Sequence, residues 1–204
     1  VNTRVPDTAR SMRKMPQQSR SRFLVGIILD VATRLLAENG WAKFNTNEVA
    51  RIAGVSIGSL YQYFPNKLAL AEAIRKQHLA SILLVFETLN ANEATQADSL
   101  MAKVELMIDG IIAAHLINPR LHRVLLDEVP LSGRDAHHDF ECRYAEYYAA
   151  FTASQLGSER AQVASKVLAS AIEGVVHDAS RRGQLTSSDL KRELILLVTC
   201  YLKG

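Results

Sequence analysis

Catalysis by this chain would have to come from its six histidines, its two cysteines and its scattered acids. No G-x-S-x-G elbow, no P-loop and no Rossmann glycine pattern surrounds any of them, so no activated nucleophile and no nucleotide cradle is expected. His138 and Glu141 stand an i, i+3 step apart beside His137 and could in principle present metal ligands from one helix face. Neighbouring His and Glu on a helix are ordinarily surface or pocket-rim groups, and we assign no metal, no cofactor and no enzymatic activity. His115, His122 and His177 are most simply polar positions in or beside a core. Cys142 and Cys200 match no metal or redox spacing, so they read as free thiols in a reducing compartment. A different chemistry is better represented: within 45–67 the hydroxyls of Ser59, Tyr61 and Tyr63 are suited to donate to phosphate oxygens.

The stretch NTNEVARIAGVSIGSLYQYFPNK that carries these groups reads as two short helices about a tight turn. Thr46 is a candidate N-cap for the first. Gly54 supplies the positive φ at which the chain leaves that helix, and Val55 can plug the angle behind the turn. Ser56 can cap the second helix, expected over 57–64 and ended by Pro65-Asn66. Leu60 is its inward anchor, and Ala50 is small where the two helices must cross. A helix pair with a short Gly-containing turn is the pattern of a helix-turn-helix, whose second member enters the DNA major groove. Taken on turn and spacing alone, a surface helical hairpin in an unrelated helical domain fits as well.

Residue identities narrow that choice. Thr46, Ala50, Ala53-Gly54-Val55-Ser56, Gly58, Leu60-Tyr61, Tyr63-Phe64 and Lys67 resemble, without a gap, the DNA-binding segment of the tetracycline repressor (TetR) family. The resemblance covers roughly 22–76 and beyond that is one of length and helical layout. It implies an all-α protein: an N-terminal three-helix helix-turn-helix domain joined by a long helix to a C-terminal helical domain that binds a ligand and dimerises. Carried over by position, it implies that Thr46, Ser56, Tyr61 and Lys67 hold phosphates, while Asn47, Ile57, Gly58, Ser59 and Tyr63 face bases or their flanks. Asn47 and Ile57 lack the long basic or amide side chains that make bidentate base contacts, so direct readout is expected to be modest. Contact of Ile57 with a thymine methyl, DNA shape and an N-terminal arm would supply the remainder.

Charge agrees with a polyanionic partner for one end only. The chain of 204 residues has a net charge of +3, yet residues 1–76 hold twelve Lys/Arg against five Asp/Glu, a balance of +7, and the remainder is net −4. Residues 1–21, with Arg4, Arg10, Arg13, Lys14 and Arg20 and almost nothing apolar, are expected to form a flexible basic arm that lies along phosphates or in the minor groove, or else a solvated tail. No apolar run approaches the ~20 residues that cross a bilayer, and no signal-peptide core follows the basic start. A cytoplasmic protein with no membrane association is therefore expected.

The remaining elements follow from apolar periodicity. Leu24, Ile27, Ile28, Val31, Leu35 and Leu36 predict a helix over 22–38 that Asn39-Gly40 ends; the resemblance implies that Trp41 and Phe44 close the core of a domain spanning 22–66, base stacking being the competing reading of Trp41. The second domain, 67–204, begins with a helix over 67–89, a polar loop over 90–96 and a second long helix over 97–117 that Asn118-Pro119 breaks. A short helix over 120–127 and a turn through Gly133 lead to an aromatic-rich helix over 134–155. Two closing helices, 158–182 and 187–203, follow. The last is apolar around so much of its circumference that it is expected to pack in part against another chain. The resemblance implies that both pair with their copies in a dimer, and a monomer with a tightly wrapped C-terminus is the competing reading. A small-molecule effector site is expected among Met107, Ile111, His115, Leu125, Tyr144, Tyr147, Tyr148, Phe151 and His177, chosen by their places on the central helices; ordinary core packing is the competing reading of each.

The function these readings support is a homodimeric transcriptional regulator, a repressor released from a palindromic double-stranded DNA operator by a small molecule. The alternatives are an architectural protein that binds DNA without sequence preference and a helical enzyme with a DNA-binding head. Turnover would mark the enzyme, and loss of discrimination between DNA sequences would mark the architectural protein.

Overall fold

The structure, a computed structural model, describes residues 19–96, 99–130 and 135–204. Among these the chain forms nine helices and no strand: α1 (Ser19–Lys43), α2 (Thr46–Ile52), α3 (Ile57–Tyr63), α4 (Lys67–Gln96), α5 (Leu100–Leu116), α6 (Pro119–Asp127), α7 (Asp135–Leu156), α8 (Ser158–Arg182) and α9 (Ser188–Lys203). Most of the basic arm lies outside the described residues, as do residues 131–134, on which part of the expected turn through Gly133 falls. The arm's last three residues already belong to α1.

The helices group into two compact units, divided inside α4 after His78. The first takes in α1 to α3, the start of α4 and the stretch Arg120–Ala136 that includes most of α6; the second holds the rest. In the first unit Ile28 and Leu36 of α1, Val49 of α2, Leu60 of α3 and Leu70 and Ile74 of α4 close one core with Phe44 and Phe64. Leu121, Val124 and Leu125 of α6 complete it. α1 is helical to Asn39 and breaks at Gly40, whose φ of +72° ends the helix where the Asn-Gly pair predicts. Arg75, buried in α4, pairs with Glu72 and donates to the carbonyl oxygens of Leu125 and Val129 at 2.9 and 3.1 Å. A cation thereby neutralises carbonyls that the end of α6 leaves unpaired.

In the second unit Met107, Ile108 and Ile111 of α5, Tyr148 and Phe151 of α7, Leu168, Ile172 and Val176 of α8 and Leu194 and Val198 of α9 form a separate core. Ser99 caps α5 by accepting from the Ala102 amide at 3.2 Å, and Ser187 caps α9 by accepting from Leu190 at 3.3 Å. Gly183, in the left-handed region at φ +69°, terminates α8. Two local expectations are corrected. Residues 90–96 continue α4 as helix, because Ala91, Glu93, Ala94 and Gln96 favour helix and neither Gly nor Pro interrupts them. The N-cap of α2 is Asn45, whose Oδ1 accepts from the Asn47 amide at 2.9 Å; Thr46 is the first helical residue and is buried.

Candidate functional site

α2 and α3 are joined by the turn at Ala53-Gly54-Val55, where Gly54 takes φ +68° and the Val55 amide donates to the Ala50 carbonyl at 3.0 Å. Ser56 caps α3 as its position predicts, its Oγ accepting from the Ser59 amide at 3.0 Å and meeting the Ser59 hydroxyl at 2.8 Å. Leu60 is fully buried and Tyr63 is 8% exposed, so one side of α3 belongs to the core. The opposite side presents Ile57, Gly58, Tyr61 and Gln62, all exposed. Steps of one and four residues put these four on one helix face.

The other residues predicted to meet DNA take varied positions. Asn47 and Ser56 are exposed and Ser59 is half-buried. Thr46, though buried, places its Oγ1 3.1 Å from the Tyr61 hydroxyl, so these two groups share a hydrogen bond across α2 and α3. Lys67, at the start of α4, donates from Nζ to the Trp41 carbonyl and stands 4.1 Å from the centre of the Trp41 ring. Partial burial holds its ammonium below the usual lysine pKa. Gln62 was missed by reasoning from the sequence. The signal that points to it is the period of α3: with Leu60 and Tyr63 inward, positions 58, 61 and 62 must face out together.

Of the residues expected to hold an effector, Leu125 packs in the core of the first unit, while Met107, Ile111, His115, Tyr144, Tyr147, Tyr148, Phe151 and His177 belong to the second. His115, Tyr144, Tyr148 and His177 of that set converge on Glu173, a residue the sequence did not single out. Its Oε2 lies 3.5 Å from His115 Nε2 and 3.2 Å from His177 Nε2. Its Oε1 accepts from the Tyr144 hydroxyl and stands 3.5 Å from that of Tyr148. Burial drives the Tyr148 phenol well above its ordinary pKa, which keeps it a neutral donor. Glu173 and His177 are one helical turn apart on α8, and that i, i+4 step is the signal that could have found the cluster.

The outer sides of α8 and α9 are apolar. Val163, Val167 and Val175 of α8 and Leu196 and Leu197 of α9 are exposed, and Gly174 stands among them with nothing within 4 Å of where a Cβ would lie. A groove of about 380 Å³ runs there, lined by Val175, Leu190, Glu193, Leu194, Leu196, Leu197 and Cys200. Among the described residues no helix is long and apolar enough to cross a membrane.

Comparison with known proteins matches both parts of the chain. Residues 28–74 fit the family model described as bacterial regulatory proteins, tetR family, and residues 99–202 fit the tetracyclin repressor-like C-terminal domain. A fatty acid metabolism regulator protein of Bacillus subtilis (strain 168) is 29% identical over 84 residues, which cover 41% of this chain and 42% of that protein. The chain thus spans less than half the length of that relative. Among solved structures, NalD of Pseudomonas aeruginosa, the secondary repressor of the MexAB-OprM multidrug efflux pump, aligns with a TM-score of 0.64 at 21% identity, over 92% of this chain and 98% of its own. A TetR-family regulator of Mesorhizobium loti aligns with a TM-score of 0.67 at 18% identity, over 91% and 98%. At these identities the structural likeness speaks for the fold.

Proposed function

Because the chain belongs to the TetR family of bacterial regulatory proteins, whose members are regulators and not enzymes, we propose that it is a homodimeric repressor that binds a palindromic operator and is released by a small molecule. The observation that carries this reading is the exposed face of α3, where Ile57, Gly58, Tyr61 and Gln62 stand on a helix held from behind by Leu60 and Tyr63. A short helix so anchored can enter a major groove, and two of them on a twofold axis would meet successive grooves about 34 Å apart. Ile57 would touch a thymine methyl, and Gln62 adds an amide that can pair with adenine. Asn47, Gly58 and Ser59 would flank the bases; Tyr63, whose side chain lies with Leu60 in the core, is left out. Tyr61, Ser56, Thr46 and Lys67 would serve the phosphates, with the basic arm adding further contacts.

The twofold axis would come from the closing helices. The apolar stripe of α8 and α9 and its groove are suited to a second copy of the same surface, since an isologous interface needs a patch complementary to itself. The effector would enter the second unit among Met107, Ile111, Tyr147 and Phe151, with the His115, Tyr144, Tyr148 and His177 groups supplying polarity; Leu125, in the core of the first unit, is left out. A ligand that prefers a conformation with the two α3 helices at the wrong separation would lower operator affinity. A hundredfold loss corresponds to about 2.7 kcal/mol of differential binding, an ordinary coupling energy. We expect such a protein to act in the cytoplasm, where its DNA is. Selection of bound genomic fragments, followed by operator titration with each ligand found to bind the second unit, tests the reading; operator affinity indifferent to every such ligand contradicts the switch.

A further inference from the structure

We propose that His115, Glu173 and His177 form a binding site for one divalent transition-metal ion of the zinc class. This goes beyond the repressor reading and does not depend on it. Three observations of the second unit carry the proposal. The first is spacing. Ligand atoms sharing an ion with bonds of about 2.0–2.2 Å lie roughly 3.0–3.5 Å apart at octahedral to tetrahedral angles. Glu173 Oε2 stands 3.5 Å from His115 Nε2 and 3.2 Å from His177 Nε2.

The second observation is tautomer. His115 Nδ1 lies 2.8 Å from the Ile111 carbonyl oxygen. A carbonyl only accepts, so Nδ1 carries a hydrogen and Nε2 is the ring nitrogen turned toward the Glu173 carboxylate. Metal-bound histidines commonly donate their second ring nitrogen to a backbone carbonyl in this way.

The third is the orientation of the carboxylate. The Tyr144 and Tyr148 hydroxyls both approach Oε1, which leaves Oε2 to face the histidines. The two phenols would therefore hold the acid as a single-oxygen ligand, as the outer hydrogen bonds of metal sites do. His115 is buried, while the Glu173 and His177 side chains remain 21% and 30% exposed, so an ion has a way in. Two imidazoles and one carboxylate favour zinc, cobalt, nickel or iron(II) over magnesium or calcium, and they leave positions open for water or a ligand.

The test is a titration of the chelator-stripped full chain with Co²⁺, read by visible d–d absorption, then displacement with Zn²⁺. We expect one Co²⁺ per chain. Glu173→Gln and His177→Ala should each weaken binding at least ~100-fold, and Tyr144→Phe about tenfold, while replacing His137 and His138 should change nothing. Absence of saturable binding at about 100 µM Co²⁺, or unchanged affinity in Glu173→Gln and His177→Ala, overturns the site. Long-range ¹H–¹⁵N spectra of the wild-type imidazoles need no variant: Zn²⁺ should shift Nε2 of His115 and His177, and shifts confined to other histidines overturn it. Since no DNA is present, failure here leaves the repressor reading untouched, and failure to bind an operator leaves the metal site untouched.

Discussion

In the proposed reading Ile57 and Tyr61 divide the work of α3. Both are exposed on its outer face, but a side chain that touches base edges changes which sequence is preferred, whereas one that touches phosphates changes affinity for every sequence. Ile57→Ala should therefore shift the preferred operator, with a cost of about 1–3 kcal/mol confined to the position it touches, and Tyr61→Phe should weaken all sequences alike. Binding-site selection on the two variants checks this, and equal losses on all DNA from Ile57→Ala would remove it from the readout. The cap of α3 was legible because Ser56 stands just past the Gly54-Val55 turn and directly before the helix; the cap of α2 was misjudged by one position because Asn45 and Thr46 both have capping side chains and only packing decides between them. Glu173 was not legible as a partner of His115, since α5 and α8 meet only in the folded chain.

Elements show their joints more readily than their neighbours. Gly40 ends the main span of α1 and faces Glu128, which follows α6: the Glu128 Oε2 accepts from the Trp41 amide at 2.8 Å and would lie 2.7 Å from a Cβ on Gly40. Gly40→Ala adds a strained positive φ to that clash and should lower stability by about 1–3 kcal/mol, measured by urea denaturation. The break at Asn39-Gly40 was readable from residue type, but the approach of Glu128 was not, being a contact between residues 87 apart. The loop expected at 90–96 failed because polarity alone does not stop a helix; a breaker or a competing cap is needed. On α9, Lys191 reaches Asp109 at 2.8 Å and Glu105 at 3.2 Å of α5. The hydrogen bond that Lys191 donates to Asp109, and with it the one it donates to Glu105, raises its pKa, against some desolvation. A raised folded pKa means that the bridge contributes fully below the unfolded value of about 10.5 and is lost as pH climbs through the higher folded one. Lys191→Met should cost about 0.5–1 kcal/mol at pH 7 and nothing once wild-type Lys191 is deprotonated, as paired melts at the two pH values would show.

For the whole molecule, the all-α architecture was readable because every long segment keeps a helical period, and the closing helices carry an apolar surplus in the sequence. The structure separates that surplus into an inner side, with Leu194 and Val198 buried, and an outer side, with Leu196 and Leu197 exposed. Leu197→Glu should therefore leave the fold intact and yield monomers in sedimentation, with operator affinity falling at least ~100-fold because each head then binds alone. The account rests on two chains reading one specific site. Its most direct test is fluorescence anisotropy of a selected operator against random DNA at one fixed salt concentration, with the stoichiometry determined in the same titration. The account predicts two chains, or a whole multiple of two, on each operator, held about 10³-fold or more tightly than random DNA. A single chain on the operator, or a preference below about tenfold, would contradict it.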